Sequence, residues 1–376
     1  MGIAIGYCSV CGKELMVMRI ETRKQIEQAI LGGAFFGGGG GGFLSLARKL
    51  SKDILSTGCL EILSPKEISP ESLVATVSFL GAPGASGTHI TPDDQLRCLS
   101  LFESHLGKKV DAFISCENGA VSTINGWLLS AATGKPVLDA PADGRAHPTG
   151  IMGSLGLERK KGYQTIQAFV GGDAKKGKHL EGVIKGTIET TAPVVRSAAA
   201  SANGLIIVIR HPVSASYAIR HGAPGAIRDA LIAGEIIQTR SRHGGINVAN
   251  ALTKKFGGII MANTRAVHFD MLQEKGFDKG YIRMQSGHTL FFLNEYLAVN
   301  INGKREASFP DIIFTLNAES GIPLSSGEIM KGAPLILGMI PKKKLKLGAG
   351  VRNLSNYKIC EDILGISLIK YARKTG

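Results

Sequence analysis

Residues 112–138 read AFISCENGAVSTINGWLLSAATGKPVL, and this stretch decides the fold class. Ala112–Ser115 is a short apolar run that stops at a polar turn. Thr123–Ala132 carries its apolar residues at helical spacing, and Pro136–Leu138 is a second short buried run. A strand, a helix and a strand in so little chain is the signature of an α/β layer, because parallel strands need a crossover between them.

The same alternation continues outward. Towards the N-terminus, Pro92–His105 reads as a helix and Leu73–Leu80 as an apolar strand. Thr22 is placed to cap a helix through Ile26, Ala29 and Ile30, and Phe43–Leu50 reads as another helix. Towards the C-terminus, Gln164–Val170, Val183–Ile188 and Leu205–Arg210 are strand candidates, with helices at Pro193–Ala202 and Ala223–Ile237. After about Arg240 short strands follow one another: Gly257–Ala262, Ala266–Leu272, Gly280–Met284, Leu290–Asn294, Leu297–Ile301 and Ile312–Leu316. Asn302-Gly303 is a hairpin signal, since both residues tolerate positive φ. The expected organisation is a prefix at 1–17, an α/β domain at 18–240 with a largely parallel sheet under helices, a β-barrel-like domain at 241–345 and a tail at 346–376.

A chain of 376 residues is long enough for two cores. The net charge of +14 is dispersed, aromatic residues are 6% of the chain, and no RNP-like motif or recognition helix is present, so nucleic acid is not the expected partner. No run approaches the roughly 18 apolar residues of a membrane span. The six cysteines are scattered and no secretory signal precedes them, which points to reduced thiols in a cytoplasmic protein. Cys8 and Cys11 have the shape of half a zinc knuckle whose other half is missing. Met16 and Met18 follow closely, so a start at either would remove that pair.

Three segments concentrate groups able to act on a small molecule. Gly37–Gly42 lies between two helices; it lacks the Walker Lys-Ser/Thr and does not follow a strand, so the amides of Gly38, Gly39, Gly40 and Gly41 are candidates for holding the anionic edge of a ligand. Glu117 and Asn118 follow a strand end, where ligands of α/β sheets commonly sit, with Asn125 a turn later. The loop after Leu138 carries Asp139, Asp143, Arg145 and His147. Asp139 is the candidate to position water, Arg145 to stabilise developing charge and Glu117 to assist proton transfer. Asn294 and Glu295 interrupt an apolar strand and join the list of binding candidates. A divalent metal on Asp139, Asp143 and His147 has no recognised spacing behind it, so no metal ligand is assigned. The alternative to catalysis for Asp139 and Arg145 is a pair that fixes its loop.

Leu31–Gly42, Glu117–Asn125, Gly134–Pro148, Phe292–Leu297 and Phe309–Leu324, in this order, resemble the S-methyl-thiohydantoin desulfurase family, often associated with hydantoin utilisation. The resemblance spans about Met18 to Pro341. It implies an N-terminal three-layer α/β domain, a C-terminal β-barrel-like domain and hydrolytic chemistry on hydantoin-like rings. Asp139, Ala140, Gly144, Arg145, Ala146 and Pro148 match the family loop, as do Asn294 and Glu295. Pro141, His147 and Thr149 depart from it, replacing an acidic, an aromatic and a second acidic residue. The resulting expectation is a hydrolase of a small cyclic amide or thioamide. The alternative is a non-catalytic ligand-binding subunit, either as a homo-oligomer or in complex with a hydantoinase- or oxoprolinase-type protein.

Overall fold

A computed structural model describes residues 5–7, 14–81, 89–274 and 277–374. Its strands are β1 (Ile5–Tyr7), β2 (Glu14–Ile20), β3 (Leu60–Leu63), β4 (Leu73–Gly81), β5 (Ala112–Ser115), β6 (Val137–Leu138), β7 (Thr165–Gly171), β8 (Leu180–Gly186), β9 (Leu205–Ser214), β10 (Ile259–Glu274), β11 (Phe277–Met284), β12 (His288–Leu293), β13 (Glu295–Ile301), β14 (Lys304–Ser308), β15 (Ile312–Asn317) and β16 (Pro334–Ile340). The helices are α1 (Arg23–Gly37), α2 (Leu44–Leu50), α3 (Ile54–Thr57), α4 (Pro92–Leu106), α5 (Trp127–Thr133), α6 (Ile188–Ser201), α7 (Ala215–His221), α8 (Ala226–Arg240), α9 (Gly245–Phe256), α10 (Ala349–Arg352), α11 (Lys358–Leu364) and α12 (Ile369–Lys374).

Helices cover a nine-stranded sheet in the order β1-β2-β3-β6-β5-β4-β9-β7-β8. Only its centre is parallel, from β3 through β6 and β5 to β4. The flanks are antiparallel, so the sheet is mixed rather than largely parallel. A short turn, with Gly172 and Gly177 at positive φ, joins β7 to β8 and closes a hairpin, which needs no crossover helix. β2 begins at Glu14, inside the segment read as a prefix, and pairs with β3. Cys8 and Cys11 lie outside the described residues.

The capping residue expected for α1 is in place. Thr22 Oγ1 accepts from the Gln25 amide at 3.2 Å, and Gln25 Oε1 accepts from the Thr22 amide at 3.0 Å. The apolar face of α1 buries Ile26, Ile30, Leu31, Phe35 and Phe36, each worth about 1.5–3 kcal/mol. α1 crosses α8 at very short range: a Cβ on Gly32 would lie 1.7 Å from the Ala230 carbonyl oxygen, and one on Gly234 would lie 1.8 Å from that of Gln28. At its C-terminal end, Phe35 and Phe36 pack on Phe256 of α9, and Phe35 also on Phe314 of β15. α1 therefore delivers the polyglycine turn to the junction of the two sheets.

The second sheet is antiparallel throughout, in the order β14-β13-β12-β11-β10-β16-β15. It curls around one cluster that includes Ile282, Phe292, Tyr296, Val299, Ile313 and Leu337. Among the described residues no ladder joins β14 to β15, so the barrel is half open. Two strands expected at Gly257–Ala262 and Ala266–Leu272 are one strand, β10. Its first half pairs with β16 and its second with β11, and the polar run Asn263-Thr264-Arg265 marks the change of partner rather than a break. The tail is structural as well. α10, α11 and α12, with Leu368 just before α12, bury Val351, Cys360, Leu368 and Ala372 against Phe309, Leu293 and Leu297 of the second domain. No helix among the described residues is long and apolar enough to cross a membrane.

Candidate functional site

At the junction lies a cavity of about 120 Å³. Ser78 of β4 and Arg210 of β9 bring one face of the mixed sheet to its lining. Thr76 of β4 pairs with Arg210 of β9, which pairs with Gln167 of β7, so these side chains share a face, with Ser78 one repeat further along β4. Cys116 and Glu117 follow the end of β5. Gly41 and Gly42 of the polyglycine turn, Glu295, and His147, Pro148 and Thr149 complete the lining.

Glu117 is buried. Its Oε1 accepts from Ser122 Oγ at 2.9 Å and its Oε2 from the His147 amide at 3.1 Å. Burial pushes its carboxyl up to about 7, held back by those two donors. His147 Nε2 lies 3.2 Å from Glu117 Oε2, yet neither ring nitrogen is aligned in a hydrogen bond. Burial, with Arg210 nearby, lowers the imidazole to about 3, so the ring is neutral. Burial beside Glu117 also raises Glu295 well above the usual carboxylate range, opposed by Arg145 and Arg196. Glu295 Oε2, Thr149 Oγ1, Ser78 Oγ and Arg210 Nε are all buried without a protein partner. Buried polar groups in folded proteins are normally satisfied, so this concentration around one cavity marks a place for a polar ligand.

The glycines are required by close packing. A Cβ on Gly39 would lie 2.6 Å from the Tyr296 ring, one on Gly40 2.2 Å from Glu295 Oε1, and one on Gly41 2.4 Å from the Gly119 Cα. The carbonyls of the turn are engaged: Gly38 O accepts from the Tyr296 amide at 2.7 Å, Gly39 O from Ser326 and Gly41 O from Val121. Of the four glycines expected to touch a ligand, Gly41 lines the cavity, while Gly38, Gly39 and Gly40 support it from behind.

Glu117, His147, Asn294 and Glu295 thus come together at the cavity, and several other sequence candidates lie outside it. Asp139 Oδ1 accepts from the Ile227 amide at 2.8 Å, which caps the first turn of α8. Asp143 receives the Arg145 amide at 3.0 Å and the Gly348 amide at 2.8 Å, tying the tail to the first domain. Arg145 is fully buried. It donates to the Ala146 and Asp311 carbonyls and stacks 4.3 Å over Phe309, so it joins its loop to the second domain. Asn118 donates to the Gly144 and Ala226 carbonyls, and Asn125 donates to Cys116 Sγ. Asp139, Asp143 and His147 therefore do not converge on one point. Among the described residues no group of three or more His, Cys, Asp or Glu side chains could hold a metal ion.

Arg210, Arg196 and Ser78 line the cavity without being sequence candidates, and Thr149 stands out in the sequence only as a departure from the family loop. The signal for Arg210 was a lone cation at the end of the apolar run Leu205–Ile209, and for Ser78 a hydroxyl alternating with Thr76 in β4. A charge in a central strand is costly unless something answers it.

Comparison with known proteins agrees with this architecture. The model of the S-Me-THD-like N-terminal domain matches residues 24–175, and that of the S-Me-THD-like C-terminal domain matches residues 187–353. No curated protein matches the chain. The crystal structure of a Chromobacterium violaceum protein, a structural-genomics target, superposes with a TM-score of 0.70 at 17% identity, covering 92% of this chain and 97% of that one. At that identity the likeness shows the fold alone. The two family matches together cover most of the sequence, and the chain belongs to the S-Me-THD-like family.

Proposed function

We propose that the protein is a hydrolase of a small cyclic amide or thioamide of the hydantoin type, bound in the junction cavity. The observation that carries this reading is the convergence there of Glu117, Glu295 and Arg210. It places two buried carboxyls and a guanidinium around one space, with several polar atoms lacking a protein partner. A hydantoin-like ring alternates N–H donors with carbonyl or thiocarbonyl acceptors. The carboxyl groups suit its N–H donors, and the guanidinium suits an acceptor at the other end of the ligand.

Glu117 is the general base. A carboxyl raised to about 7 is part ionised at neutral pH and basic enough to take a proton from water. The hydroxide equivalent adds to the ring carbon that carries the leaving group. That bond breaks as the carbonyl forms, and the departing sulfur or nitrogen takes up a proton. With an S-methyl-thiohydantoin, one water is consumed, and a hydantoin and methanethiol are the products. Glu295, whose carboxyl burial raises well above the usual range, lines the same space and is the proton donor to the departing atom. His147 stays neutral and positions Glu117, its backbone amide holding Oε2. Asp139 and Arg145 have no part in the chemical step.

The test is thiol release and ring hydrolysis, followed with S-methyl-thiohydantoin and hydantoin, by the wild type and Glu117→Gln. Turnover by the wild type that falls by about 10²-fold or more in the variant supports the reading. Equal rates in the two proteins, or no turnover of either ring by the wild type, refute it.

A further inference from the structure

Arg210 is the least compensated charge at the cavity. It sits on β9 in the middle of the sheet, 4% exposed, with Nε buried and without a partner. Among the described residues its side chain makes no hydrogen bond and no ion pair. Its ladder neighbours Thr76 and Gln167 are neutral. Glu117, the acid whose charge it feels, accepts from Ser122 and the His147 amide and not from Arg210. A guanidinium stays ionised in a protein interior, so Arg210 brings to the cavity lining a full positive charge that no protein hydrogen bond or ion pair among the described residues answers. Such a charge is retained where a ligand supplies the answering anion.

We infer that the substrate carries a carboxylate and that Arg210 binds it, so the ligand class is an acid-bearing ring rather than an uncharged one. This rests on the ring-binding reading above and narrows it. The guanidinium presents a planar fork, and a carboxylate meets a planar fork with two parallel hydrogen bonds. The neighbouring lining groups complete the fit. Ser78 Oγ and Thr149 Oγ1 are unpartnered hydroxyls able to donate to the same anion. The carboxyl groups of Glu117 and Glu295 face the rest of the cavity, where ring N–H groups need acceptors. The site is therefore polarised, with an anion end at β9 and a proton-transfer end at Glu117 and Glu295. Arg196 lines the same cavity and adds to the positive field.

Calorimetric titration of the full-length protein tests this with five probes: hydantoin, hydantoin-5-acetic acid, its primary amide, succinate and inorganic phosphate. The wild type is expected to bind the acid at least about tenfold more tightly than the amide, which has the same shape without the charge. Arg210→Gln is expected to bring the two to equal affinity. Arg210→Lys keeps the charge, loses the fork and is expected to leave a reduced preference; it serves if the glutamine variant does not fold. Equal affinity for acid and amide in the wild type overturns the inference. So does an undiminished preference in Arg210→Gln, and so does phosphate outcompeting the acid. If hydantoin binds and the acid arm adds nothing, the carboxylate inference fails and the ring reading stands. If succinate binds through Arg210 as well as the ring acid does and hydantoin does not bind, the ring reading fails and the carboxylate inference stands.

Discussion

Glu117 and His147 meet in the lining of the junction cavity with Oε2 and Nε2 3.2 Å apart, and the same Oε2 accepts the His147 amide at 3.1 Å. His147, in the loop after Leu138, therefore both orients the carboxylate at the end of β5 and places a neutral ring against it. Because burial pushes Glu117 up and His147 down, neither is fixed in its usual charged form near neutral pH. Activity and stability should then respond to pH in opposite directions.

The pH profile follows from the sign of the Glu117 shift. The general base must be ionised, so kcat/KM is expected to rise as pH increases through about 7. In Glu117→Asp the residual activity should keep a rising limb, whereas any residual activity of Glu117→Gln should lose it. Rates measured from pH 5 to 9 check this.

Stability should run the other way. Burial raises Glu117 and Asp143 to about 7 and Asp139 to about 6 in the folded chain. Each binds its proton more tightly folded than unfolded. Its contribution is complete below the ordinary carboxyl range and is lost as pH climbs through 6 to 7, at up to about 1.4 kcal/mol per pH unit for each group. Denaturant midpoints should fall between pH 4.5 and 7.5 on account of these groups. Asp143→Asn should flatten that slope.

Asp139 separates structure from chemistry. Its carboxylate accepts the Ile227 amide at the start of α8. Asp139→Ala should cost about 1–2 kcal/mol, the scale of a lost helix cap. Asp139→Asn keeps an acceptor oxygen and should lose less. Turnover per folded molecule should stay within about twofold of the wild type in both, as measured by rate assays normalised to folded protein.

The polyglycine turn can be divided in the same way. At Gly40 an added methyl would push the far end of the Glu295 side chain, so Gly40→Ala should retain most of its stability while losing ring turnover. At Gly41 the methyl meets the Gly119 backbone and φ is +73°, so Gly41→Ala should lose about 1–3 kcal/mol as well. Unfolding midpoints read beside rates distinguish the two.

Arg210 should be a site where binding and stability conflict. Arg210→Met removes an unanswered buried cation and should raise the stability of the ligand-free protein by about 1–3 kcal/mol while abolishing acid binding. Denaturant titration without ligand, set beside calorimetry, measures both.

Much of the fold could be read from local patterns. The α/β alternation, the Thr22 cap and the Asn302-Gly303 hairpin depend on residues close in sequence, and the structure contains all three. Pairing direction depends on partners distant in sequence, which is why the antiparallel flanks and the change of partner along β10 were not legible. The site divided along the same line. Glu117 and Glu295 stand out because a carboxylate at a strand end or in an apolar strand needs a reason. Asp139 and Arg145 stand out equally, and their reasons are a helix amide for the one and, for the other, a carbonyl and an aromatic ring of the second domain, which only the tertiary structure supplies. Arg210 is legible as a lone charge in an apolar strand, but no motif surrounds it to mark it as part of a site.

The crystal structure of the protein soaked with hydantoin-5-acetic acid addresses the junction cavity directly. The expected result is density for the ring between Glu117 and Glu295, with its carboxylate within hydrogen-bond distance of the Arg210 guanidinium. Density against Asp139 and Arg145 instead, or on the outer surface with the cavity filled only by water, would contradict it.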